Sequence, residues 1–160
     1  MAKTKLILIS CWLGAAVFFS FVLAPALFGT LHAFNVVNAN EIAGTIVTSS
    51  LSVVNISGCV ISLVLFLVGL MIGKNRSELV HRLSSIALVV MAAATSVSQW
   101  VIASRMRALR ASMVVIDQVP FDDPRRVAFN NLHRYSVIAL AVAMCAALAA
   151  VLLTGNRTAA

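Results

Sequence analysis

The sequence predicts an all-α polytopic membrane protein, a bundle of four transmembrane helices in which helices 3 and 4 extend beyond the bilayer. Two observations carry this. The first is composition: 61% of the 160 residues are hydrophobic and 11% are charged, whereas soluble domains are about half apolar and about a quarter charged. So short a soluble chain has too little interior to hide that apolar surface. The second is distribution. The stretches 6–40, 42–73, 83–104 and 135–156 contain no Asp, Glu, Lys or Arg, and a helix crosses hydrocarbon with roughly 20 apolar residues.

The whole chain, 1–160, reads as one four-helix domain with helices at about 5–28, 41–72, 78–118 and 124–154. Helix 1 starts after Lys3 and Lys5. Its apolar run is longer than the roughly 7–15 residues of a signal-peptide core, so it is read as a retained helix. Pro25 removes a backbone donor and kinks or ends this helix near Phe28. Asn35, Asn38 and Asn40 suit the turn that follows, with Asn40 as cap of helix 2 and Glu41 at the positive end of its dipole.

Helix 2 carries Thr48, Ser52, Asn55, Cys59 and Ser62 at steps of three and four, one stripe of a helix that must face other helices rather than lipid. Gly73, Lys74 and Asn75 end it. Helix 3 crosses from Leu83 to Ile102. Met106, Leu109, Met113 and Ile116 then continue the apolar spacing between Arg105, Arg107 and Arg110, as in an amphipathic extension into water. Pro120 breaks that helix. Asp123 as N-cap with Pro124 in the first helical position starts helix 4. The tail GNRTAA is read as unstructured.

The net charge of +7 fits basic residues that flank membrane helices and meet anionic headgroups. Nucleic acid is not an expected partner, because no basic helix with interleaved aromatics is present. Basic residues give no clear orientation. Lys3, Lys5, Lys74, Arg76, Arg82 and Arg157 lie on the terminus side, and Arg105, Arg107, Arg110, Arg125, Arg126 and Arg134 on the other. The first helix usually dominates, and Lys3 and Lys5 precede it with no Lys or Arg in the loop beyond. The expectation is therefore an inner-membrane, multi-pass protein with cytoplasmic termini.

Enzymatic chemistry finds no support. Paired carboxylates, a nucleophile elbow, a Gly-rich phosphate loop and HExxH are all missing from the sequence. Cys11, Cys59 and Cys145 fit no metal or redox spacing and read as small buried apolar residues. No cofactor is expected: haem wants two axial His inside the bilayer, and His81 and His133 sit near helix ends.

Four groups are candidates for binding. His133 and Ser136, where helix 4 enters the bilayer, offer a ligand or proton site. His32 in the first loop is placed by topology on the same side as His133, and a two-His metal site is one reading; the metal itself is left unknown. Asn55 is the strongest member of the helix 2 stripe, because an amide deep in lipid needs a partner. Arg105, Arg107, Arg110, Arg125 and Arg126 gather near Asp117, Asp122 and Asp123, either as a surface for anions or an acidic partner or as a solvated collar against headgroups.

Five segments together are similar to a known family: Trp12-Leu13-Gly14-Ala15-Ala16-Val17-Phe18-Phe19, Ala24-Pro25-Ala26-Leu27-Phe28, Ile42-Ala43-Gly44, Arg107-Ala108-Leu109-Arg110, and Phe129 to Ser136 with its F-x-x-L-H-x-x-S pattern. The chain resembles bacterial relatives of the transmembrane protein 205 family, a four-helix domain of unknown function. Its opening helix is also similar to that of copper-resistance D-type membrane proteins. The resemblance implies four helices and a His and Ser that fall on His133 and Ser136. It also implies metal or xenobiotic handling, although this chain lacks a Met- or His-rich cluster. The expected role is transport of, or tolerance to, a small solute or metal, in a homo-oligomer or with a membrane-protein partner. The alternative is a structural or assembly subunit that docks another membrane protein.

Overall fold

The computed structural model describes residues 2–72, 78–113 and 115–155. The expected helix 2 terminator at Gly73, Lys74 and Asn75 lies outside them, as do Arg76, Arg157 and the tail after Gly155. The described residues form four long helices, each apolar and long enough to cross a membrane. They are α1 (Ala2–Phe18, Phe19–Leu23 and Ala24–Ala33), α2 (Ala39–Ile72), α3 (Glu78–Ser96, Val97–Ile102 and Ala103–Met113) and α4 (Pro124–Gly155).

Pro25 does not end α1. The turn before it, Phe19–Leu23, widens into a π-helix in which the Ala24 N–H bonds the Phe19 carbonyl. That added residue absorbs the missing donor and the clash a proline imposes on the carbonyl four residues back. The helix therefore runs on to Ala33, beyond the expected end at Phe28. It closes when Val36 N–H reaches Leu31 O at 3.1 Å and Asn35 N–H reaches His32 O at 3.0 Å. Asn35 is left-handed at φ 49°, a geometry asparagine tolerates at helix ends.

Asn38, also left-handed at φ 58°, gives its carbonyl to the Ile42 N–H and starts α2. Asn40 is thus inside the first turn rather than at the cap. The cap comes from far along the chain: Asp117 accepts from Asn40 Nδ2 at 2.7 Å and from the Glu41 N–H at 3.2 Å. A carboxylate is favourable at the positive end of a helix dipole. This also explains why α3 stops at Met113 instead of continuing to residue 118. The 3₁₀ turn Ile116–Gln118 carries Asp117 to the α2 terminus.

α4 begins as expected, with Asp123 Oδ1 accepting the Arg125 N–H at 2.8 Å and Asp123 O accepting the Val127 N–H. The Arg125 guanidinium beside it lowers the Asp123 carboxyl from 3.8 to about 2. A depressed carboxylate contributes stability above its unfolded pKa and loses it as the pH falls through the folded one. Asp123→Ala should thus lower the melting temperature at pH 7. The difference from the unsubstituted protein should shrink as the pH falls from 4 to about 2.

The helices form a ring: α1 on α2, α2 on α3, α3 on α4, and α4 back on α1, with α3–α4 the most extensive pair. Ile9, Trp12, Ala16 and Phe19 face inward from α1 at helical spacing. They meet Ala87, Leu88 and Met91 of α3 and the Ala143, Ala146, Ala147, Ala150 face of α4. Small residues let membrane helices approach closely where there is no hydrophobic drive between them. Large side chains such as Phe21, Val53, Leu67, Trp100 and Leu152 point outward, a surface that suits lipid and not water.

Candidate functional site

The polar lane of α2 faces α3, as its spacing predicts. Asn55 is 1% exposed and donates through Nδ2 to Ser98 Oγ at 3.0 Å. Ser98 Oγ lies 3.5 Å from Ser136 Oγ of α4, so one chain of polar groups links three helices. Gln99 Nε2 donates to Ser52 Oγ at 2.8 Å, and Cys59 Sγ lies 3.3 Å from Ser96 Oγ. Ser98 and Gln99 belong to the second π-turn, Val97–Ile102, whose extra residue accompanies the burial of Ser98, Gln99 and Ile102 together.

Among the described residues, Asn55 Oδ1 and Gln99 Oε1 are buried without a hydrogen-bond partner. Leaving such a group unsatisfied costs about 1–3 kcal/mol. Both residues border a small inner cavity of about 30 Å³, together with Ser52, Met106, His133 and Ser136. A space of this size accommodates one donor such as a water molecule.

Two larger cavities adjoin it. An interfacial cavity of about 440 Å³ opens at the hairpin end, with Arg110, Arg126, Asn130 and His133 among aromatic walls from Phe28, Phe121 and Phe129. A groove of about 410 Å³ lies between α1 and α4, walled by the π-turn and Pro25 of α1 and by Leu140 and Met144. His133 borders all three spaces. A further, wholly apolar groove of about 570 Å³ runs between α3 and α4 along Leu83, Val90 and Ala149.

The two arginines of the interfacial cavity differ. Arg110 is spent: its guanidinium pairs with Glu41 Oε1 at 2.6 Å, donates to Thr45 Oγ1 at 2.8 Å and bonds the Glu41 carbonyl. It packs over Gly44, where a Cβ would stand in ordinary contact with Nη1 at 3.4 Å. Arg126 stacks on the Phe121 ring at 3.8 Å and donates to the Val119 carbonyl. Among the described residues no carboxylate pairs with it.

The structure therefore gathers His133, Ser136 and Asn55 around the inner cavity, and Arg110 and Arg126 around the interfacial one. It does not bring His32 to them. His32 is exposed, its Nδ1 lies 2.9 Å from Phe28 O, and it borders none of the three spaces. Arg105 and Arg107 are exposed and line none of these four spaces. Arg125 is held by Asp123 at 2.8 Å. Among the described residues no three His, Cys, Asp or Glu side chains group as metal ligands. Gln99 is not among the candidate site residues of the sequence, and Asp117 is read there only as an acid beside the arginines, not as the cap of α2. An amide inside a run free of charge was the available signal for Gln99. Asp117 had none, because its partner is tertiary.

Residues 7–115, about two-thirds of the 160, match the family described as Domain of unknown function (DUF4149), and the chain belongs to that family. The match covers α1 to α3 and stops before α4, the helix that carries His133 and Ser136. Comparison with curated proteins and with solved structures gives no match.

Proposed function

We propose that this member of the DUF4149 family is a non-enzymatic membrane protein that admits a small amphipathic solute at the hairpin end and passes it towards the bilayer, and so serves its transport or the cell's tolerance to it. The observation that carries this reading is that His133, the polar one of two residues shared by all three (the other is Val47), joins the interfacial cavity, the inner polar cavity and the lipid-side groove. The two larger spaces fall within the roughly 300–1,000 Å³ of small-molecule sites. Apolar walls with a few convergent polar groups suit an organic solute better than a metal ion. The resemblance to the transmembrane protein 205 family, with its association with drug tolerance, agrees with this. With Lys3 and Lys5 before α1, the termini are assigned to the cytoplasm and the cavity to the opposite side.

Native mass spectrometry of protein extracted gently from its own membrane tests the reading. A retained organic mass is expected on the unsubstituted protein. His133→Phe, which fills the junction, should reduce its occupancy by about tenfold, equivalent to about 1.4 kcal/mol, with helicity unchanged. A protein that carries no small molecule, or carries it equally in His133→Phe, would refute the reading. Exposed Arg105 and Arg107, outside the four spaces described, favour a second one: an assembly subunit that docks a membrane protein or another copy of itself. Arg105→Gln with Arg107→Gln should then release a co-purifying polypeptide and leave any bound small molecule in place.

A further inference from the structure

We propose that the solute is a single-chain amphiphile with an anionic head, its head held by Arg126 in the interfacial cavity and its chain laid in the groove between α1 and α4. This rests on the solute-binding reading above. The head group follows from charge. Of the two guanidinium groups on the cavity, Arg110 is neutralised by Glu41 at 2.6 Å. Asp117 is occupied at the α2 terminus by Asn40 and the Glu41 N–H. Arg126 keeps its charge: its partners are an aromatic face and a carbonyl, neither of which cancels it.

A partly buried cation beside apolar walls attracts an anion more strongly than one in bulk water does. The planar guanidinium fork matches carboxylate or phosphate oxygens. Phe121 fixes the plane of that fork and leaves donors for a ligand. Exposed Arg134 on the same end of the bundle raises the local positive potential.

The chain follows from connection. Phe28, Val47 and His133 border both the interfacial cavity and the groove, so a tail can run from one into the other past three side chains. Beyond them the groove is walled by Phe19, Phe21, Leu140 and Met144. Its polar members Ser20 and Ser136 already bond within the protein. The groove's volume of about 410 Å³ is on the scale of one acyl chain rather than two. Carboxylate and phosphate heads share this chemistry, and so do a membrane lipid's phosphate and a free phosphate ion. The test must separate them.

The test is binding to the full-length protein in a neutral detergent, with oleate, lysophosphatidate, monoolein and inorganic phosphate as probes. Oleate and lysophosphatidate should bind at least about tenfold more tightly than monoolein or phosphate. Arg126→Gln should cost the two anionic amphiphiles about tenfold or more and leave monoolein unchanged. Arg126→Lys should recover part of the loss, and Arg125→Gln, at a residue that lines neither space, should cost no binding. Should Arg126→Gln fail to fold, Val47→Phe narrows the passage with every arginine in place. It should weaken oleate more than octanoate.

Equal binding of oleate and monoolein, or indifference to Arg126→Gln, overturns the head-group assignment while leaving a His133-dependent bound solute intact. Phosphate that binds as tightly as lysophosphatidate overturns the chain assignment. Failure of all four probes, on a protein that also carries no native small molecule, removes both this assignment and the reading beneath it.

Discussion

Replacing Gly58 by alanine should destabilise the bundle by about 1–3 kcal/mol, the range for overpacking a well-filled core. A Cβ on Gly58 would stand 2.7 Å from Trp12 Nε1 and 2.8 Å from Cε2 and Cζ2. Real Cβ contacts do not come that close, so the indole must move. It has nowhere to go: Trp12 is 4% exposed and packs in the core that joins α1 to α3 and α4. Its Nε1 donates to the Val54 carbonyl at 2.9 Å, and shifting the ring breaks that bond at membrane depth. An interhelical bond there adds about 0.6 kcal/mol on average. Unfolding of Gly58→Ala in mixed micelles, followed by tryptophan fluorescence, measures the loss. Trp12→Phe in the same background should relieve part of the clash, so the double variant should cost less than the two single costs added. Stability equal to the unsubstituted protein would show that the indole can shift freely and that this contact does not hold α1 on α2.

The two kinds of feature in this protein differ in how far they can be read from sequence. Helix number, the apolar spans and the inward lane of Thr48, Ser52, Asn55, Cys59 and Ser62 follow from periodicity and lipid chemistry alone, and the structure shows them. The start of α4 was also legible, because Asp123 and Pro124 act on neighbouring backbone. The features that escaped depend on partners far away in the chain. Pro25 reads as a kink or a terminator when only its own helix is considered. The π-turn that lets α1 continue cannot be told from a kink by composition. Asn40 looks like a cap until Asp117, distant in sequence, takes the role and ends α3 early. Gly58 carries no signal of its own, since only the indole pressed against it makes the absent Cβ matter. The candidate site divides the same way. His133, Ser136, Asn55, Arg110 and Arg126 were visible as residue types in a membrane setting. Gln99 and the distinction between a spent Arg110 and an uncompensated Arg126 needed the fold.

Glu41→Ala should cost about 1–3 kcal/mol, the range for leaving a buried hydrogen-bonding partner unsatisfied, and should loosen the hairpin end locally. The Glu41 carboxylate binds the Arg110 guanidinium at 2.6 Å, and its other oxygen accepts the Ile116 N–H at 3.3 Å. One side chain of α2 thereby holds the end of α3 and the turn behind it. The pair is mostly buried, with side-chain exposures of 17% for Arg110 and 25% for Glu41. It should therefore contribute more than a surface ion pair, which is typically about 0–1 kcal/mol. Removing Glu41 leaves Arg110 with Thr45 and the residue 41 carbonyl but no compensating charge, and leaves the Ile116 N–H without its acceptor. Arg110→Ala removes the same charge pair from the other side. A cycle of Glu41→Ala, Arg110→Ala and the double variant should give a coupling of about 1–3 kcal/mol, because contacting charged groups are not additive. Raising the salt should shrink the coupling only modestly, since partly buried pairs are weakly screened. Hydrogen exchange should quicken at Ile116 and at the α2 terminus that Asp117 caps, with the bilayer-depth core of α3 and α4 unchanged. Additive single costs would mean that the ion pair contributes nothing. The Asp117 cap would then be what ties the hairpin to α2, and Asp117→Asn would become the substitution with the larger effect.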